Sequence, residues 1–106
     1  MKQLSVLELA SWLADTARPH PQVVDVREPW ELETASIAGV MHIPMQEVPA
    51  RVGELDQSRE IVAMCHHGGR SMQVAMFLEQ RGFTTYNLAG GIEAWAREVD
   101  NTVPRY

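Results

Sequence analysis

Cysteine is nearly absent from this chain, with one thiol, Cys65, among 106 residues. A single thiol excludes an intrachain disulfide and any zinc site built on several thiolates, and it suits a reducing compartment. Basic residues are scarce as well: 9 Lys and Arg stand against 14 Asp and Glu, for a net charge of -5. They are scattered along the chain rather than clustered, which excludes a general nucleic-acid surface, because phosphate binding needs grouped Lys and Arg. Any anion site has to be local. No apolar run approaches the ~20 residues needed to cross a bilayer. The opening residues Met1-Lys2-Gln3-Leu4-Ser5 carry no signal-peptide apolar region, so no membrane association is expected and the cytoplasm is the expected location. Repeats, linkers and low-complexity segments are also missing.

What is present reads as one globular domain over residues 1–106, with 45% hydrophobic and 22% charged residues. Short apolar runs alternate with helix-like stretches at the spacing of βαβ units, which predicts an α/β domain with a mostly parallel sheet. Ser5 is placed to cap a first helix, with Glu8 completing a capping box and Leu9, Trp12 and Leu13 on one face; Pro19, His20 and Pro21 end it. Val23–Val26 reads as a buried strand, Glu28–Thr34 as a short helix with Pro29 in its first turn, and Val40–Ile43 as a short strand stopped by Pro44. A weak helix is expected over Gln46–Leu55, interrupted by Pro49 and Gly53. Ile61–Met64 is the clearest strand and Ser71–Arg81 the clearest helix, with Gly82 at its C-cap. A last strand, Thr84–Leu88, and a last helix, Ile92–Val99, complete the pattern.

Cys65 ends the Ile61–Met64 run and opens the segment His66-His67-Gly68-Gly69-Arg70-Ser71. That order puts the thiol at the carboxyl tip of a buried strand, in a glycine-bearing turn ahead of a helix. Two adjacent glycines let the backbone curl so that several N–H groups point at the sulfur, and the helix dipole adds positive potential there. Such surroundings lower a cysteine pKa and hold anions. The competing reading is a cysteine that merely ends a core strand.

The neighbours each carry alternatives. His66 and His67 read as rim residues, as a general base for Cys65, or as metal ligands with a third group such as His42; the expected metal content is none, because zinc sites take more ligands at characteristic spacing. Arg70 either reaches toward an anionic substrate or pins the loop on a carboxylate such as Asp25 or Glu31. Asp25 lies inside an apolar strand, where an unpaired charge is costly, so it requires a cationic partner, with Arg70 and Arg27 as the candidates.

Three segments together resemble the single-domain rhodaneses, small bacterial sulfurtransferases. They are Asp25-Val26-Arg27-Glu28-Pro29-Trp30-Glu31 running on to His42-Ile43-Pro44, the loop from Cys65 to Ser71, and Gly90-Gly91-Ile92-Glu93-Ala94-Trp95. They span nearly the whole chain in the family's order. One departure is Ala35-Ser36-Ile37-Ala38-Gly39-Val40, which stands where the family usually has Gly-His-Ile-Pro-Gly-Ala and implies altered local loop geometry. Gly90-Gly91 and Trp95 are read as a turn and a core side chain.

The resemblance implies a three-layer α/β fold with a central, mostly parallel five-stranded sheet flanked by helices. It implies a thiosulfate sulfurtransferase that needs no cofactor: Cys65 takes the outer sulfur of thiosulfate as a persulfide and passes it to cyanide or a thiol. His66, His67, Gly68, Gly69, Arg70 and Ser71 would form the substrate loop. A second implied role is a sulfur relay in which a cysteine desulfurase loads Cys65 and a thioredoxin-like or other protein unloads it. Rhodanese-fold phosphatases and arsenate reductases form a third possibility, but those phosphatases carry one more residue between Cys and Arg than the four, His66 to Gly69, found here. A tighter cradle fits one sulfur atom better than a tetrahedral oxyanion.

Overall fold

The computed structural model describes residues 1–106. Five strands, β1 (Lys2–Leu4), β2 (Gln22–Asp25), β3 (Met41–His42), β4 (Ile61–Met64) and β5 (Thr85–Leu88), form one sheet in the order β1-β5-β4-β2-β3. Every pairing is parallel. β4 lies at the centre, and all four of its residues are fully buried, as expected for a strand with neighbours on both edges and helices on both faces. The chain adds β3 on one side of β2, then returns to place β4 and β5 on the other. The reversal falls between β2 and β4, and the crevice beyond the carboxyl ends of such strands is where open α/β sheets bind ligands. Cys65 and Arg27 follow these two strand ends.

The side chains of β4 alternate between two cores. Val62 and Met64 pack with Leu9 and Trp12 of α1 (Val6–Ala14) and with Ile92 and Trp95 of α5 (Gly91–Glu98). Ile61 and Ala63 face the opposite way, toward Val48 of α3 (Val48–Arg51) and Val74 and Leu78 of α4 (Gly69–Gln80). This period of two separates three layers. A further helix, α2 (Pro29–Thr34), follows β2 and carries Glu31, its buried residue. No helix is long and apolar enough to cross a membrane.

The cap on α1 forms as its residues dictate: the Glu8 N–H donates to Ser5 Oγ at 3.0 Å, and the Ser5 N–H donates to Glu8 Oε1 at 2.8 Å. The helix stops at Ala14, ahead of the prolines. Three features differ from the sequence reading. β1 supplies the fifth strand, which residue patterning misses because it is only 3 residues long with Lys2 and Gln3 exposed. The expected helix over Gln46–Leu55 is instead a 3-10 turn at Met45–Glu47, the single α-turn α3, and a second 3-10 turn at Val52–Glu54. Pro49 lacks an N–H to continue a ladder, and Gly53 favours a break. Finally, α4 begins at Gly69 rather than Ser71, so Arg70 and Ser71 belong to its first turn.

Candidate active site at the Cys65 loop

Gly68 makes the turn into α4 at φ +109°, a conformation that costs glycine little and other residues more. The turn folds the chain back on its own thiol. The Gly68 N–H donates to Cys65 Sγ at 3.1 Å, and Ser71 approaches Sγ with its N–H at 3.4 Å and its hydroxyl at 3.3 Å. The first N–H groups of a helix have no carbonyl one turn earlier to bond, so the Ser71 N–H is available to sulfur. Burial works to raise the Cys65 thiol, but the Ser71 hydroxyl and N–H, with the Gly68 and His67 N–H groups, outweigh it and bring the thiol below its ordinary value. Cys65 is 1% exposed, and its sulfur faces donors on several sides.

The loop is held from behind by α5. The Ile92 and Glu93 N–H groups donate to the Cys65 and His66 carbonyls at 3.0 and 3.1 Å. Gly91, at φ +58°, has no room for a side chain, because a Cβ would lie within contact distance of both carbonyls. Gly90-Gly91 is therefore more than a turn: it lets one backbone approach another. From β5, buried Asn87 donates to the Gly68 carbonyl at 3.1 Å and accepts from the Ser71 hydroxyl at 2.5 Å.

Arg70 pins the loop. Its two terminal nitrogens donate to Glu31 Oε1 and Oε2 at 2.7 and 2.9 Å, a fork-to-fork pair that fixes direction as well as charge. Glu31 also accepts from the Tyr106 hydroxyl at 2.7 Å and the Glu28 N–H at 3.2 Å. The Arg70 bond, opposed by burial and aided by Tyr106, holds the Glu31 carboxyl down to about 2. Asp25 takes Arg27 as its partner, with the pair closed at 2.7 Å and both side chains fully buried. Arg27 further donates to the Ala35 carbonyl at 2.8 Å and to Tyr106 at 2.7 Å. Thus Ala35, inside the segment that departs from the usual family pattern, still supplies a carbonyl to this network.

Neither histidine ring hydrogen-bonds the sulfur. The His66 ring stacks on Tyr106 at 3.9 Å and on His67 at 4.0 Å. Burial, then the neighbouring His67, lowers the His66 pKa, which favours the neutral ring. His67 is exposed at the rim, as is Gly69. His42 Nε2 bonds the Arg27 carbonyl at 2.7 Å instead of joining Cys65, and no three potential metal ligands converge anywhere in the fold. Sequence reasoning did not find Asn87 or Tyr106. Asn87 had a signal, a polar side chain within an apolar strand, of the kind that marked Asp25. Tyr106 had none, because nothing local ties it to a loop some forty residues earlier.

A family model for the rhodanese-like domain matches residues 6–98. The chain is 38% identical over 112 residues to rhodanese-like/PpiC domain-containing protein 12, chloroplastic, of Arabidopsis thaliana, a match that takes in 100% of this chain and 38% of that protein. It is 39% identical over 90 residues to a sulfurtransferase of Allochromatium vinosum, with 84% and 82% of the two chains covered. Among solved structures, a rhodanese-like domain protein from Staphylococcus aureus superposes with a TM-score of 0.85 at 29% identity, over 100% of this chain and 99% of that one. The chain thus spans little more than a third of the Arabidopsis relative and most of the other two.

Proposed function

The chain belongs to the rhodanese-like domain family, and from that premise we propose that it is a sulfurtransferase carrying sulfane sulfur as a Cys65 persulfide. The observation that carries this reading is the convergence of the Gly68 N–H, the Ser71 N–H and the Ser71 hydroxyl on one buried sulfur within 3.4 Å. The two N–H groups are already in place for charge on the thiolate and on the persulfide, and the hydroxyl needs only to turn its proton from Asn87 to the sulfur. Cys65 attacks the outer sulfur of a sulfane donor, thiosulfate being the simplest, and sulfite leaves with the electrons of the broken S–S bond. Cyanide or a thiol then attacks the outer sulfur of the persulfide and restores the thiolate. The sulfurtransferase name of the Allochromatium relative supports the reading.

The absence of a hydrogen bond from either histidine ring to Sγ supports activation by the donors of the loop, which lower the thiol pKa, over a histidine general base. The four-residue span from His66 to Gly69 favours a single sulfur over a phosphate. A thiol that must stay reduced fits work in the cytoplasm, with a cysteine desulfurase or a thioredoxin-like protein as exchange partner. Thiocyanate formation from a sulfane donor and cyanide tests the reading: the wild type produces it and Cys65→Ser does not, whereas equal rates from both proteins refute it.

A further inference from the structure

Two ion pairs stand beside the Cys65 loop, and one hydroxyl joins them. Asp25 and Arg27 close the first at the end of β2, and Glu31 of α2 with Arg70 of α4 closes the second. Tyr106 lies between. Arg27 Nη1 donates to its hydroxyl oxygen at 2.7 Å, and that hydroxyl donates to Glu31 Oε2 at 2.7 Å. Chemistry fixes the direction, because a guanidinium only donates and a carboxylate only accepts. Burial, then Glu31 as acceptor against the pull of Arg27, pushes the hydroxyl up to about 12, so it keeps the proton it donates. The ring is clamped apart from these bonds: it stacks on His66 at 3.9 Å and meets Trp30 edge-on at 6.1 Å. Packing thus sets where the hydroxyl sits. Tyr106 also lies beyond residues 6–98, the span matched by the family model.

We infer that Tyr106 is a positioning residue for Arg70: by holding one oxygen of Glu31, its hydroxyl fixes the carboxylate that directs the guanidinium, and so sets the positive potential an anion meets at Cys65. The inference rests on the sulfurtransferase reading for the reaction and adds a residue to it. Arg70 uses two N–H donors on Glu31, and a guanidinium has five. Its side chain is 38% exposed, so the remaining donors and the charge are open to an incoming anion. Bonding to Glu31, opposed by burial, does most to raise the Arg70 pKa. The negative charge of Cys65 adds to it, which places the cation within electrostatic reach of the sulfur. How that cation points depends on the plane of the carboxylate. Oε1 of Glu31 takes the Glu28 N–H at 3.2 Å and Oε2 takes the Tyr106 hydroxyl, which leaves one side of each oxygen to the Arg70 fork. Without the hydroxyl, Oε2 keeps only Arg70, and Nη1 of buried Arg27 keeps only the Glu31 carbonyl at 3.4 Å. A buried donor short of an acceptor is costly, so it draws the loosened carboxylate, and Arg70 turns with it.

Tyr106→Phe keeps the ring and removes only the hydroxyl, and alkylation of Cys65 by iodoacetate and by iodoacetamide reads the result. The two reagents attack the same thiolate by the same chemistry and differ in one negative charge. The ratio of their rates therefore reports the potential at the sulfur, whatever the thiol pKa or the stability of the fold. Tyr106→Phe is expected to lower the iodoacetate-to-iodoacetamide ratio about threefold, the weight of one partly exposed charge displaced. Arg70→Gln lowers it as well, and adding Tyr106→Phe to Arg70→Gln changes it no further. In turnover of thiosulfate with cyanide, Tyr106→Phe should raise the thiosulfate KM by a like factor, with less effect on kcat. An unchanged ratio or an unchanged thiosulfate KM in folded Tyr106→Phe overturns the inference. So does a Tyr106→Phe effect of equal size in the Arg70→Gln background, because the hydroxyl would then act by another route. A ratio that Arg70→Gln leaves unmoved overturns it too, and needs no Tyr106 variant. No thiosulfate turnover in the wild type counts against the sulfurtransferase reading, while the alkylation ratio still decides the role of Tyr106.

Discussion

Asn87 and Ser71 form a pair in which the Ser71 hydroxyl oxygen lies 2.5 Å from Asn87 Oδ1 while standing 3.3 Å from Cys65 Sγ. A hydroxyl has one proton to donate. Directed at Asn87, it leaves the oxygen facing a neutral thiol as acceptor; when Cys65 ionises, the same proton turns to the sulfur. The amide nitrogen of Asn87 meanwhile holds the Gly68 carbonyl at 3.1 Å and reaches Gln3 at 2.9 Å. One β5 side chain therefore ties the hydroxyl, the turn and the edge strand β1 together.

Asn87→Ala takes from the Gly68 carbonyl its amide donor and leaves the buried Ser71 hydroxyl only the sulfur, and stability is expected to fall by about 1–3 kcal/mol. Urea unfolding at neutral pH measures this. Loss within error of zero would mean that water or another side chain replaces the amide.

Ser71→Ala removes the hydroxyl that does most to hold the Cys65 thiol below its ordinary value against the opposing effect of burial. The Cys65 pKa should rise, and alkylation by iodoacetamide at neutral pH should slow several-fold. The pH profile of that rate is the readout, and its midpoint should move to higher pH. A midpoint that stays put would assign the stabilisation to the backbone alone.

Acid stability should depend on Glu31. Its carboxyl is held from an ordinary 4.5 down to about 2 in the fold, chiefly by Arg70 against the cost of burial. A group whose folded pKa is depressed contributes stability above its unfolded pKa and loses it as pH falls through the folded one. The contribution, on the order of 2 kcal/mol once Arg70's partial exposure is allowed for, should therefore fade between about pH 4.5 and about pH 2. Glu31→Gln should flatten that limb of the stability curve, as followed by denaturant midpoints across acid pH.

Gly91→Ala tests how α5 supports the loop. The residue sits at φ +58° with a Cβ position that meets the Cys65 and His66 carbonyls, so strain and overpacking together should destabilise by about 2–4 kcal/mol. Gly53→Ala, with open space at that position, serves as the control and should change little.

Much of this was legible in the residues. Ile61–Met64 reads as a central strand because all its side chains are apolar, and Cys65-His66-His67-Gly68-Gly69 marks the turn because glycine alone takes φ +109° without strain. Ser5 and Glu8 announce a capping box that forms. What stayed hidden depends on contacts between residues far apart. Lys2–Leu4 has no apolar run and becomes a strand only by pairing with β5. Arg70 had two partners open to it, and Arg27 satisfies Asp25 so that Glu31 remains for the loop. Tyr106, 75 positions from Glu31 in the chain, completes a network that no local pattern encodes.

The most direct test of the central claim is the intact mass of the reduced protein after exposure to thiosulfate or glutathione persulfide. Wild type should gain the mass of one sulfur atom from at least one donor and lose it on addition of cyanide or excess thiol, while Cys65→Ser gains none. No added sulfur on the wild type from either donor, or an equal gain on the serine variant, would contradict a Cys65 persulfide.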